Sequence, residues 1–182
     1  MAVGGSSHLT SILVVFTLAL GLTAVPAGAD DRWHPDPAAL AAAAEGPATY
    51  DEAPAWDGGA SCSHGLTTAA TALAATLRAR FGPLEIGGYS CRPNTASSGR
   101  TSVHGVGRAL DVMTTAGAPI ADWLLAHSSE LGVQLVIWNR SLWRAGAAEV
   151  RPYGGPNPHT DHVHVEVRIG ATGTLRRAVL VS

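Results

Sequence analysis

The chain has 182 residues, enough for one ordinary domain. Apolar residues make up 46% and charged residues 14%, a balance that excludes a wholly disordered chain. The formal net charge of −2 excludes a protein held on nucleic acid by a strong basic field, and two cysteines exclude a four-cysteine zinc ribbon.

At the N-terminus, Ile12 to Val25 forms an apolar run of signal-peptide length, too short for a comfortable membrane span. Ala27-Gly28-Ala29 follows with the small-x-small pattern of a cleavage site, although no Lys or Arg precedes Ile12. The expectation is a signal peptide over 1–29, an exported chain starting at Asp30, and no stable membrane span after cleavage. Residues 30–55 contain four prolines, a run of alanines, and six acids against one Arg. They read as an acidic Pro/Ala-rich linker, with a short helix over Pro37 to Glu45.

Residues 56–182 read as one domain carrying eleven Arg and eight acids, hence +3, which suits a polyanionic partner. In an oxidising compartment Cys62 and Cys91 are expected to pair, the alternative being two buried thiols. Leu66, Ala70, Leu73, Leu77 and Phe81 recur at helical spacing until Gly82-Pro83. Short strands are expected over Leu84 to Tyr89 and Ala109 to Met113. Pro119 opens a helix that carries Ile120, Trp123, Leu124 and Leu131 and ends at Gly132. Val133 to Trp138 reads as a third strand with Val133, Leu135 and Ile137 on one face.

The last strand alternates. Val163, Val165, Val167 and Ile169 share one face, and His162, His164, Glu166 and Arg168 share the other. The valine face should pack on helices. The expected fold is α+β: a small, largely antiparallel sheet with helices on one face and the chemistry on the other.

Two clusters of ligand-type residues stand out. Residues 102–111 contain a His and an Asp seven positions apart, separated by glycines that allow close backbone approach. Residues 159–164 contain three of the eight histidines. A catalytic zinc takes three protein ligands from His and carboxylate and keeps one open position, which His104, Asp111 and one of the later histidines would supply. A His-x-His on a strand can also be a solvated face, and spacing alone names no reaction.

Residues 102–111 match the SxHxxGxAxD signature of the zinc D-Ala-D-Ala carboxypeptidase and dipeptidase family, and Asp161 to His164 resembles its (Asp/Glu)-x-x-His motif. That family is grouped with lysostaphin-type endopeptidases and the hedgehog N-terminal domain. The resemblance implies one Zn2+ per chain, held by His104, Asp111 and His164, with Asp161 as general base and His162 assisting the transition state. It implies that Arg92 steadies the developing oxyanion, although Ser90-Cys91 interrupts the usual Tyr-Arg pair. Ser102 is expected to support the turn, while Trp138, Trp143 and Tyr153 either line a substrate groove or fill the core. The activity implied is hydrolysis of peptide bonds in peptidoglycan stems or cross-bridges, endo- or carboxypeptidase undetermined. The alternative is a non-catalytic zinc-stabilised module that binds wall peptides. Neither reading calls for a nucleic-acid partner, and a monomer is expected.

Overall fold

A computed structural model describes Met1, residues 30–46 and residues 48–175. The expected signal peptide and the last seven residues lie outside the described residues. In chain order the elements are α1 (Pro37–Ala44), α2 (Thr68–Phe81), β1 (Ile86–Gly87), β2 (Pro93–Asn94), β3 (Ser97–Thr101) and β4 (Ala109–Met113), then α3 (Ala118–Ala126), α4 (Ser128–Leu131), β5 (Val133–Trp138), β6 (Ser141–Arg144), β7 (Arg151–Pro152) and β8 (His162–Val167). Six strands form one sheet in the order β1-β4-β8-β5-β6-β7, antiparallel throughout, while β2 and β3 form a separate hairpin. The protein is α+β, as its alternating hydrophobic pattern and helical repeats imply.

Local chemistry explains most element ends. The Thr67 side chain accepts from Ala70 N to cap α2, and Gly82, at φ 87°, closes it. Pro119 occupies the first turn of α3, where its missing N–H is harmless. The single helix expected through Leu131 is instead two: His127, at φ −111° and ψ 15°, breaks it before α4, and Gly132 in the left-handed region ends α4. The strand expected over 84–89 shrinks to the two residues of β1.

The helix-side face of the sheet is the main core. Val163, Val165 and Val167 of β8 pack there with Leu110, Val112, Leu73, Leu77, Leu124 and Leu125, all essentially buried. Ile169 does not extend this face; it lies beyond β8 and is 68% exposed. In β5 the register against β8 shifts between Val133 and Leu135. Val133 and Val136 therefore face the helices, while Leu135 and Ile137 turn to the opposite face beside Leu142. The simple alternation expected for Val133, Leu135 and Ile137 fails at that bulge.

The segment 30–55 is not a free linker. Trp33 is buried at 3% exposure, and with Ala39 and Ala43 of α1 it joins the main core. Its indole N–H donates to Asp122 Oδ1 at 3.0 Å. Farther along, the Asp51 carbonyl accepts from Arg108 at 3.0 Å and from Gln134 at 3.3 Å. Alanine-rich composition misleads here because small side chains let α1 lie close against its neighbours, so few large apolar groups are needed to hold it.

Candidate metal centre

The centre lies on the face of the sheet opposite the helices. Register fixes much of it: Asp111 of β4 and Ile137 of β5 both stand opposite His164 of β8. His104 comes from the tight turn between β3 and β4, which glycine makes compatible with the chain packed around it. Gly107 has φ +69°, and a Cβ there would lie 2.1 Å from the Gly65 carbonyl oxygen. The Ser102 hydroxyl accepts from His104 N at 3.3 Å within this turn. The Cys62–Cys91 disulfide pins the chain beside this turn. Ser90 N donates to the His104 carbonyl at 3.3 Å, and Ser102 N donates to the Arg92 carbonyl at 2.9 Å.

His104, Asp111 and His164 bring three ligand atoms within 4.8 Å of one another, a group able to hold a metal ion. Their hydrogen bonds define what each atom offers. His104 Nδ1 lies 2.6 Å from the Gly88 carbonyl, which only accepts, so Nδ1 carries the proton and Nε2 is left as a lone pair. His164 Nε2 lies 3.2 Å from Glu166 Oε1; with its ring proton held there, Nδ1 is the nitrogen offered to a metal. His164 Nδ1 is 2.9 Å from Asp111 Oδ1, and His104 Nε2 is 3.2 Å from Asp111 Oδ2 and 3.3 Å from His164 Nδ1. With the ring protons held at Gly88 and Glu166, two imidazole nitrogens and a carboxylate converge on one point. That donor set of two nitrogens and one carboxylate fits a divalent metal.

The titration behaviour agrees. Burial works against charge on His164, but Asp111 and Glu166 outweigh it and raise its pKa to about 9 in the metal-free chain. Asp111 is likewise opposed by burial, yet the adjacent His104 and His164 rings hold it well below the usual carboxylate range. Glu166 is fully buried and is nevertheless kept ionised by His164, Tyr50 and Gln134.

The remaining expected residues divide into two groups. His162 shares the centre's face: its Nδ1 lies 2.7 Å from Asp161 Oδ1 and its Nε2 lies 3.7 Å from Asp111 Oδ1. Asp161 itself sits on the rim, its side chain 67% exposed, and its pKa is lowered by the His162 hydrogen bond. The group that faces the cluster is therefore His162, with Asp161 behind it. Arg92 and Tyr153 line the same cleft, of about 440 Å³, that holds the three ligand-type residues. Among the described residues the Arg92 guanidinium hydrogen-bonds the Pro93 carbonyl, at 3.4 Å, and no ligand-type residue of the cluster. Trp138 does not line the cleft: it faces the helices and packs in the main core with Trp143, because the bulge in β5 sets its side.

Four contributors escaped the sequence reading. Glu166 stands two residues after His164 on the same face, so strand alternation placed it correctly without revealing its role. Gln134 reaches Glu166 Oε2 at 3.3 Å from the bulge, and Tyr50 reaches the same oxygen at 2.8 Å from 116 residues away. His159 is buried with a positive φ of 54°. Its Nδ1 donates to the Asn157 carbonyl at 2.6 Å, and its ring packs edge-on to Tyr153 and lies 4.7 Å from that of His162. Burial, then the neighbouring His164 and His162, lower its pKa to about 4, so the ring is neutral.

An α+β domain with a buried His/Asp group of metal-binding geometry on its open sheet face is the class these features define. Residues 62–164 match the family model described as VldE, C-terminal domain, and the chain belongs to that family. No curated protein and no solved structure matches the chain.

Proposed function

We propose that the protein is an exported zinc-dependent hydrolase of peptide bonds, acting on bacterial peptidoglycan stems or cross-bridges. The observation that carries the reading is the convergence of His104 Nε2, Asp111 and His164 Nδ1 with every other ring proton already engaged. The order of ligand-type residues along the chain, and the likeness of residues 102–111 to the zinc D-Ala-D-Ala carboxypeptidase signature, support zinc and an amide substrate. The disulfide and the apolar N-terminal run support export.

Bound by those three residues, zinc would supply Lewis acidity toward a carbonyl and acidify water. The chain's own residues then have defined tasks. Asp161 holds the His162 Nδ1 proton, which leaves His162 Nε2 to accept a proton on the cluster side. Arg92, with no carboxylate partner among the described residues, is placed to turn its guanidinium toward a substrate oxygen in the cleft it lines. Tyr153 and the apolar patch of Leu135, Ile137 and Leu142 form a wall against which a peptide backbone can lie.

The exposed position of Asp161 favours one second reading, a metal-stabilised module that binds wall peptides without cutting them. Purified peptidoglycan fragments incubated with the protein, with and without chelator, separate the two. New peptide termini by mass spectrometry, abolished by chelator and restored by zinc, are expected. Retention of fragments with no new termini would replace the hydrolase by the binding module. The identity of the new ends also distinguishes endo- from carboxypeptidase cleavage.

A further inference from the structure

We propose that the segment preceding the family-matched region is a working part of the centre, with Tyr50 as a positioning residue that acts on His164 through Glu166. The inference rests on the metal reading above.

Glu166 is a carboxylate with 5% of its surface exposed, and it makes no ion pair with Lys or Arg among the described residues. Three donors hold it: His164 Nε2 at 3.2 Å, the Tyr50 hydroxyl at 2.8 Å and Gln134 Nε2 at 3.3 Å. The Tyr50 contact is the shortest of the three. A buried carboxylate left short of a donor would swing toward another, and that would release the His164 ring. Tyr50 thus fixes the carboxylate that orients a ligand ring, two hydrogen bonds away from that ring.

The segment is built to hold this tyrosine. Arg144 of β6 lies over the Tyr50 ring, 3.8 Å from its centroid, and pairs with Glu52 Oε1 at 2.9 Å. Asp51 N donates to Gln134 Oε1 at 3.1 Å, so the neighbouring residue engages the third donor of the set. Asp51 Oδ2 also accepts from Ile169 N at 2.6 Å, just past β8. Residues 50–52 are tied to β5, to β6 and to the residues just past β8, the strand that carries Glu166. A merely structural strap would need no hydroxyl at position 50; a phenyl ring would pack on Arg144 as well.

Tyr50→Phe removes that hydroxyl alone. Zinc affinity is read by competition with a chromogenic chelator, for wild type, Tyr50→Phe, Glu166→Gln and the double variant. The expected result is a loss of about tenfold for Tyr50→Phe, within the range typical of groups that orient metal ligands, and a larger loss for Glu166→Gln. The double variant should bind no more weakly than Glu166→Gln, because Tyr50 acts only through the carboxylate. Wild-type affinity in Tyr50→Phe, or losses that add in the double variant, would overturn the proposal and leave the metal reading intact. A wild type that binds no zinc would overturn both. Nitrogen-15 spectra of the zinc-loaded wild type give a check independent of any variant: the His164 ring proton should reside on Nε2, and finding it on Nδ1 would overturn the proposal.

Discussion

His104 and His164 each surrender one ring proton to an acceptor outside the cluster, Gly88 O for the first and Glu166 for the second. That pair of hydrogen bonds turns two ordinary histidines into preset lone-pair donors facing a carboxylate. His162 is the third ring on this face, and its proton goes to Asp161. Asp161→Asn should therefore leave zinc content unchanged and lower peptide hydrolysis by about 10²- to 10⁴-fold, the usual scale for disabling an acid–base group, here the His162 that Asp161 holds. Kinetics beside metal analysis checks this; hydrolysis at the wild-type rate would remove Asp161 from the account. At this scale the sequence was informative where spacing is short. His104, Asp111 and His164 follow from ten- and six-residue stretches, and strand alternation put His162, His164 and Glu166 on one side. Tyr50 carried no such signal, since its partner lies 116 residues away. His159 depends on a left-handed backbone conformation that nothing in its neighbours announces.

Among the elements, the turn that delivers His104 is the most constrained. Gly107 combines a φ of +69° with a Cβ position 2.1 Å from a backbone oxygen. Gly107→Ala should destabilise the chain by at least about 1–3 kcal/mol, the cost of a residue held in a disfavoured backbone region, and displace His104. A lowered melting temperature with reduced zinc content is the expected pair of results; a variant with wild-type values of both would contradict this reading of the turn. The disulfide braces the same turn. Replacing Cys62 and Cys91 together by serine should cost roughly 3–4 kcal/mol for a loop of this length, read by denaturant unfolding. The element pattern also shows where one-dimensional periodicity fails. β5 reads as a plain alternating strand, but its bulge turns Leu135 and Ile137 toward the cleft and Trp138 toward the helices. Bulge position is set by pairing with β8 and cannot be read from β5 alone.

For the molecule as a whole, the segment 30–55 changes the account most. Its acidic, alanine-rich composition reads as a linker, yet Trp33 is buried in the core and Tyr50 meets Glu166. Composition measures how much apolar surface a segment could bury, not what its few large side chains touch. The titrating groups also predict a global behaviour for the metal-free chain. His164, with a folded pKa near 9, contributes stability that is complete below its unfolded value of about 6.5 and is lost as pH rises through 9. His159, held near 4, must charge when the chain unfolds below about 6.5, so stability falls as pH drops from there toward 4. On these two groups the metal-free protein should melt highest near pH 6.5, and zinc should remove the alkaline decline because it replaces the His164 proton. Thermal melts across pH with and without zinc test this; an alkaline decline that persists in the zinc-loaded protein would contradict it. The central claim is that His104, Asp111 and His164 form one metal centre. Elemental analysis of purified wild type and His104→Ala after exhaustive dialysis tests it most directly: one zinc per chain in the wild type and none in the variant is predicted, and a wild type that retains no stoichiometric zinc, or a variant that retains it, would contradict the account.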